Sequence, residues 1–165
     1  MNKYLPHVYV IPEDDADRQL ADGFVDHHNV DDRRIKVMPP AGGWRNVLKT
    51  FQGEYIQTMR NYQDACVVML IDFDGHVDDR RAEFEQAIPG DIMPRVFVVG
   101  SKDNPETLKN ALKISFEEIG KSLANDCDAG TSEHWDHEQL AHNDAERQRL
   151  VDAVRPFLLP AATPV

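Results

Sequence analysis

Two aspartates separated by one residue are the strongest chemical signal in this 165-residue chain. Asp72 and Asp74 directly follow residues 66–71, an uncharged run rich in valine, leucine and isoleucine. Such a run is typical of a strand that is covered on both faces in a parallel sheet. Ligands of these sheets bind beyond the carboxyl ends of the strands, where both aspartates are expected. The spacing therefore predicts a metal site at the end of this strand.

A third carboxylate, Glu13, follows the first predicted strand, residues 7–11. The strands of a parallel sheet all run the same way, so Glu13 is expected on the same edge as Asp72 and Asp74. Carboxylate oxygens suit Mg²⁺, which fills its remaining positions with water and phosphate oxygens. We predict Mg²⁺ as the cofactor, with Mn²⁺ as the alternative, and phosphoryl-transfer chemistry as its use.

The elements that must position these carboxylates follow from hydrophobic periodicity. Strands and helices alternate up to residue 100, which predicts an α/β fold, a Rossmann-like three-layer domain with a four-stranded, mostly parallel sheet. The predicted strands are 7–11, 33–38, 66–71 and 95–99, and the predicted helices between them are 15–27, 44–62 and 78–87.

The second part of the chain shows no further strand pattern. Residues 105–125 and 136–159 are predicted to be helical, and residues 160–165 are predicted to be frayed. The predicted organisation is an α/β core over residues 1–103 and a helical C-terminal extension over residues 104–165, packed on the core as one structural domain.

Composition limits the classes of partner. A net charge of −11 and a pI near 4.9 argue against a broad nucleic-acid-binding surface of the chain's own, because such binding depends on lysine and arginine. The chain has no run of about 18 apolar residues, and its first residues lack the apolar core of a signal peptide. We therefore expect a cytoplasmic protein that does not enter membranes.

The motifs resemble those of the Toprim domain, which topoisomerases, bacterial primases and several small nucleases share. The family's first motif is a strand followed by a glutamate and, four residues later, an aspartate. Residues 8–17 match it with Glu13 and Asp17. Asp14 stands where the family usually has glycine. Asp72 and Asp74 match its second motif, a strand followed by Asp-x-Asp. The resemblance covers residues 7–100.

The resemblance implies roles for these residues. Glu13 would be a general acid or base, or a metal ligand, and Asp72 and Asp74 would hold Mg²⁺, so these three are the expected catalytic residues. Asp17 belongs to the same motif and joins the expected ligands, and Asp78 lies close enough in sequence to act as an auxiliary ligand.

Phosphate contacts are predicted for a glycine pair and a lysine. The backbone N–H groups of Gly42 and Gly43 could cradle a phosphate, although a plain loop explains the pair equally well. Lys102, after the fourth strand, could reach a phosphate, whereas an exposed lysine is its ordinary role.

Three functions remain open from the sequence. The first is a Mg²⁺-dependent nuclease acting on DNA or RNA with a partner protein; small stand-alone Toprim-like proteins work in some cases beside a motor ATPase in defence against phage or plasmids. The second is a receiver-like signalling module in which Asp72 accepts a phosphoryl group, Asp14 and Asp15 bind Mg²⁺, and Lys102 contacts the phosphate. The third is a catalytically silent scaffold, with assembly into homo-oligomers through the helical extension.

Overall fold

Four strands form one sheet in the computed structural model, which describes residues 1–160. The remaining residues, 161–165, which the sequence analysis placed in a frayed tail, lie outside the described part of the chain. The strands are β1 (His7–Pro12), β2 (Ile35–Val37), β3 (Ala65–Leu70) and β4 (Val96–Val99). All four are parallel, in the order β2-β1-β3-β4, so the predicted α/β fold with a parallel sheet is confirmed.

Within the described residues, seven α-helices flank this sheet. They are α1 (Asp15–Val25), α2 (Trp44–Thr50), α3 (Ile56–Asn61), α4 (Val77–Ala87), α5 (Pro105–Leu112), α6 (Phe116–Ala129) and α7 (Asp144–Leu158). One turn of π-helix, Phe51–Tyr55, joins α2 to α3, so the helix predicted over residues 44–62 is confirmed as one helical segment. Within residues 1–160, no helix has the length and apolar character needed to cross a bilayer.

The helices cover the sheet on both sides, which gives three layers. We call the side under α1, α6 and α7 the α1 face; its sheet residues are Val8, Val10, Cys66, Val68, Phe97 and Val99. We call the opposite side, under α2, α3 and α4, the α2 face; its sheet residues are Tyr9, Ile11, Ala65, Val67, Met69, Val96 and Val98. Side chains alternate between the faces along each strand, so both layers share one sheet.

The helices after residue 104 pack on the α1 face and belong to its hydrophobic core. Residues 105–125 are largely helical, as predicted, but they form two helices, and the second continues to Ala129. Lys113 takes a left-handed conformation, φ +57°, which ends α5, and the Ser115 hydroxyl then accepts from the Glu118 N–H and begins α6. The helix predicted from residue 136 begins at Asp144, after a 3₁₀ turn over Ala141–Asn143.

Two glycines bring α1 against α6. A Cβ on Gly23 would lie 2.0 Å from the Glu117 carbonyl oxygen, and a Cβ on Gly120 would lie 2.0 Å from that of Leu20. The two backbones therefore touch at these positions, where any larger residue would force the helices apart. This contact fixes α1, the helix that begins beside the carboxyl end of β1.

The outer edge of β4 is occupied by side chains, where a fifth strand would otherwise pair. Glu146 accepts from the Val98 N–H at 3.1 Å, and Asn143 bonds both the N–H and the carbonyl of Gly100. Arg81 donates to the Val98 carbonyl, and Arg149 donates to the Val96 carbonyl. The backbone groups along this edge are therefore satisfied without another strand.

Candidate metal centre

The carboxyl ends of β1 and β3 form the centre of the sheet edge. The chain leaves β1 for β2 on one side and then crosses back to β3 on the other, so the order of the strands reverses between β1 and β3. In open parallel sheets, ligands bind in the crevice at such a reversal. Glu13 follows β1 and Asp72 lies just beyond β3, which places one acidic residue on each side of the crevice.

The backbone and side chain of Glu13 are both fixed by hydrogen bonds. Its N–H donates to the Leu70 carbonyl at 2.9 Å, which continues the ladder from β1 to β3. Its Oε2 accepts from the Asp72 N–H at 2.5 Å, and the side chain is buried. This bond fixes the carboxylate of Glu13 beside the backbone that carries Asp72.

The third acidic group comes from the first turn of α1. Asp14 caps the helix by accepting from the Asp17 N–H at 3.0 Å, as aspartate does at many helix N-termini. The turn that this cap sets directs Asp17 inward, where its exposed fraction is 0%. One ligand atom each from Glu13, Asp17 and Asp72 then lies within 4.8 Å of the other two.

Three oxygens of this cluster lack a hydrogen-bond partner within the described residues. They are both carboxylate oxygens of Asp17 and the Oδ1 of Asp72. A buried polar group without a partner costs stability, and native proteins contain few of them. The unsatisfied oxygens therefore point to a bound group that completes the site.

The pKa values of the three carboxyl groups are displaced in the same direction. Burial raises the pKa of Asp17, and the neighbouring Asp72 carboxylate raises it further. Burial likewise raises the pKa of Asp72, with the Glu13 charge adding to the effect. The pKa of Glu13 is raised chiefly by burial, against the opposing effects of the Asp72 N–H and Arg80. A protein without a cation at this position thus holds protons that a divalent cation would replace.

The donor set fits a hard divalent cation. All the available atoms are carboxylate oxygens, the ligands that Mg²⁺, Mn²⁺ and Ca²⁺ prefer over nitrogen or sulfur ligands. Among the described residues, this is the one group of three or more acidic, histidine or cysteine side chains close enough to share an ion. The centre would be held by Glu13, Asp17 and Asp72.

Asp74 is separated from this cluster. Its backbone turns into the left-handed region, φ +49°, and its side chain is 53% exposed. There it forms an ion pair with Arg80 at 2.7 Å, while the same guanidinium also donates to the Asp72 carbonyl. The predicted Asp-x-Asp pair therefore divides, with Asp72 directed inward and Asp74 at the rim.

The remaining predicted site residues lie around the cluster. The N–H groups of Gly42 and Gly43 donate to the Glu13 carbonyl at 2.9 and 3.3 Å, so the glycine pair holds the backbone of Glu13. Asp78 is exposed in the first turn of α4, outside the cluster. Lys102 is also exposed. Their predicted roles in metal or phosphate binding stay predictions.

A stack of cationic and aromatic side chains at the rim was not anticipated from the sequence. The guanidinium groups of Arg45 and Arg80 each lie 4.5 Å from the centre of the Trp44 ring. Arg80 also bonds Asp74, as described, and its side chain is 11% exposed. Arg80 lies on α4, a helix with weak hydrophobic periodicity. The sequence therefore gave no indication that its side chain contacts Trp44 and Asp74.

Comparisons with known proteins add no relative. No protein-family model, curated protein or solved structure matches this chain. The protein is therefore classified by its architecture. It is a three-layer α/β domain with three buried carboxylates where the strand order of a parallel sheet reverses.

Proposed function

We propose that this protein binds Mg²⁺ through Glu13, Asp17 and Asp72 and cleaves phosphodiester bonds of nucleic acid, as a nuclease of Toprim type. Mn²⁺ is the alternative ion. The observation that carries the proposal is the cluster itself, three buried carboxylates within 4.8 Å whose oxygens at Asp17 and Asp72 have no partner among the described residues. The motif spacing of Glu13, Asp17 and Asp72 supports the Toprim interpretation.

Charge balance favours a cation over a purely structural role. Three ionised carboxylates this close repel each other, and burial removes the water that would screen them. Arg80 is the nearby cation, but it lies at the rim and its ion pair is with Asp74. A divalent ion would satisfy the three unpartnered oxygens and neutralise most of the charge.

The chain's own residues would divide the work. Glu13 is anchored by the Asp72 N–H, and its raised pKa suits a general acid or base. Arg80 presents a guanidinium at the rim, where it could hold a phosphate oxygen of the substrate. When bound, Mg²⁺ supplies charge stabilisation at the phosphate and lowers the pKa of a coordinated water.

The acidic surface sets the expected partner. With a net charge of −11, the chain offers little attraction to DNA or RNA by itself. We therefore propose that it acts in a complex whose other member supplies the basic surface, with a motor ATPase of a phage- or plasmid-defence system as the partner that the Toprim resemblance suggests.

Calorimetric titration with Mg²⁺ and Mn²⁺ tests the metal site. Wild type is expected to bind one ion, and Asp17→Asn and Asp72→Asn are expected to lose that binding. Asp79→Asn is the matched control, because Asp79 is exposed in the first turn of α4 and should leave binding unchanged. Wild type that binds neither ion would overturn the metal site and leave the scaffold interpretation.

Nicking of supercoiled plasmid and cleavage of single-stranded RNA, each in the metal that binds, test the reaction. Cleavage that requires the ion, disappears in Asp72→Asn and persists in Asp79→Asn would support the nuclease. Metal binding without cleavage of either substrate, alone and with added cell extract as a source of partner, would contradict it.

One observation favours the receiver-like alternative. The strand order β2-β1-β3-β4 is also the beginning of the doubly wound order in which signalling receivers are built, with Asp72 at the end of its third strand. Against it, Asp14 is engaged as a helix cap, and Asp15 lies on the surface in contact with Arg18 and Gln19. Incubation with acetyl phosphate and Mg²⁺, followed by intact-mass measurement, decides between them: one added phosphoryl group, absent in Asp72→Asn, would identify a receiver.

A further inference from the structure

The layer between the α1 face and its helices encloses a cavity of about 100 Å³. The sheet contributes Val10 and Val68, α1 contributes Ala21, α6 contributes Leu123, α7 contributes Val154, and the loop before α7 contributes Trp135. These side chains are apolar, and they come from every layer that meets there. The cavity therefore lies within the core of the α1 face and is partly open to solvent, and its wall residue Ala21 is one turn of α1 after Asp17.

Sheet residues that line the cavity retain some exposure. Val10 is 6% exposed and Val68 is 7% exposed, and both line the cavity. Phe97 lies on the same face, outside the lining, and is 0% exposed. The residual exposure of Val10 and Val68 is therefore consistent with space beside them.

The chemistry of the walls determines what can fill this space. Water needs two to four polar partners to remain in a buried site, and apolar cavities of comparable size stay dry and bind apolar molecules. Among the side chains that line the cavity, Ser101 has a buried hydroxyl without a partner in the described residues, but one hydroxyl is fewer than the two partners that water needs. An apolar ligand body would recover the contacts that the cavity walls lack.

One cationic side chain that lines the cavity reaches solvent. Arg155 on α7 is the charged residue among the described residues that line the cavity, and its side chain is exposed. One of its guanidinium nitrogens donates to the Asp128 carbonyl at 2.7 Å, which fixes the group in place. The guanidinium has further N–H groups in a planar fork, a geometry that matches a carboxylate.

We propose that this cavity is a binding site for a small monocarboxylic acid with an aliphatic body, such as a short-chain fatty acid. The aliphatic body occupies the space under α1, and the carboxylate pairs with Arg155 at the opening. The site is distinct from the carboxylate cluster and does not depend on the proposed nuclease activity.

Titration with hexanoate, followed by NMR of the valine and leucine methyl groups, tests the site. Saturable shifts are expected at Val10, Val68 and Leu123, and hexanol is expected to bind about tenfold more weakly because it cannot form the charged pair. Absence of saturable shifts with hexanoate would overturn the proposal. Equal binding of hexanol and hexanoate would overturn the assignment of the carboxylate to Arg155.

Two variants and two controls locate the ligand. Ala21→Leu fills the cavity and should abolish binding, whereas Ala145→Leu adds the same bulk on the exposed start of α7 and should not. Arg155→Gln should weaken hexanoate about tenfold, whereas Arg33→Gln, which changes a surface arginine, should not. If Ala21→Leu does not fold, Val154→Leu fills the same space from α7; unchanged binding in a folded cavity variant would contradict the site.

Discussion

The two faces of the sheet share buried aromatic and aliphatic cores, but the α1 face also borders a cavity. On the α2 face, Phe51, Met59 and Phe84 are fully buried. On the α1 face, Leu108 and Phe97 are equally buried, whereas Val10 and Val68 beside the cavity retain 6% and 7% exposure. We therefore expect side chains next to the cavity to tolerate changes in volume better than side chains of the α2 face.

The carboxylate cluster lies on the α1 face, the same side of the sheet as the cavity. Ile71 and Phe73 belong to the core of the α2 face, so the intervening Asp72 is directed to the other side, towards Asp17 on α1. Unsatisfied polar groups and incomplete packing both lower local stability and are common where a protein binds ligands. Both features that a ligand would complete, the carboxylate cluster and the cavity, therefore lie on the same face of the sheet.

Adjacent residues of β3 give the largest test of this difference. Met69→Ala, on the α2 face, should lower the free energy of unfolding by about 2–5 kcal/mol, because the rigid surroundings cannot close the space. Leu70→Ala, on the α1 face, should cost less, since Leu70 is only half-buried and already borders the cavity. Urea denaturation measures both values, and equal losses would remove the distinction between the faces.

His142 lies beside the core of the α2 face, and its protonation should make the free energy of unfolding depend on pH. His142 lies edge-on to Phe73, with ring centres 5.1 Å apart, and burial lowers the pKa of His142 to about 4. The unfolded chain protonates near pH 6.5, so stability due to the neutral ring is present above that pH and is lost as the pH falls towards 4. The loss should reach at most about 3 kcal/mol.

His142→Gln isolates this effect from the carboxyl groups, which titrate in the same range. Between pH 6.5 and pH 4, the variant should lose less stability than the wild type, as followed by urea denaturation at several pH values. Parallel pH profiles for the two proteins would show that His142 is accessible to water in the folded state.

Larger side chains should destabilise the α2 face but not the part of the α1 face that borders the cavity. Val67→Leu overfills the α2 face and should cost about 1–3 kcal/mol, whereas Val68→Leu extends into the cavity and should be neutral or stabilising. Thermal unfolding of the two variants is sufficient to measure this. A comparable loss in Val68→Leu would mean that the cavity cannot accept a side chain.

Replacement of one carboxyl group of the cluster should produce the smallest change in the free energy of unfolding, and that change should be an increase. Asp17→Asn should stabilise the metal-free protein by about 1 kcal/mol at neutral pH, because the amide is neutral without the proton that the buried Asp17 carboxyl must bind when no ion is present. The pKa of Asp17 is raised by folding, so the wild type loses stability as the pH rises above about 4, and the advantage of the variant should grow with pH. Addition of Mg²⁺ should reverse the order. A variant less stable than the metal-free wild type would indicate a structural role for Asp17.

The sequence predicted the parts of this molecule that local patterns govern. The buried strands, their alternation with helices and the position of Glu13 and Asp72 all follow from apolar runs that end in acids. The division of residues 105–125 into two helices did not, because Lys113 adopts a left-handed conformation that glycine usually marks. The outward turn of Asp74 could not be predicted either, since its partner Arg80 lies on α4. The cavity on the α1 face depends on three-dimensional packing, which local patterns do not describe.

The side chains along β4 have a consequence for self-association. Glu146, Asn143, Arg81 and Arg149 occupy the hydrogen-bonding groups that a neighbouring chain would need at that end of the sheet. The other end is β2, a strand of three residues whose central side chain is the exposed Lys36, a residue type that discourages strand pairing. Neither end favours growth into fibrils, so a homo-oligomer of this protein would form through helical surfaces.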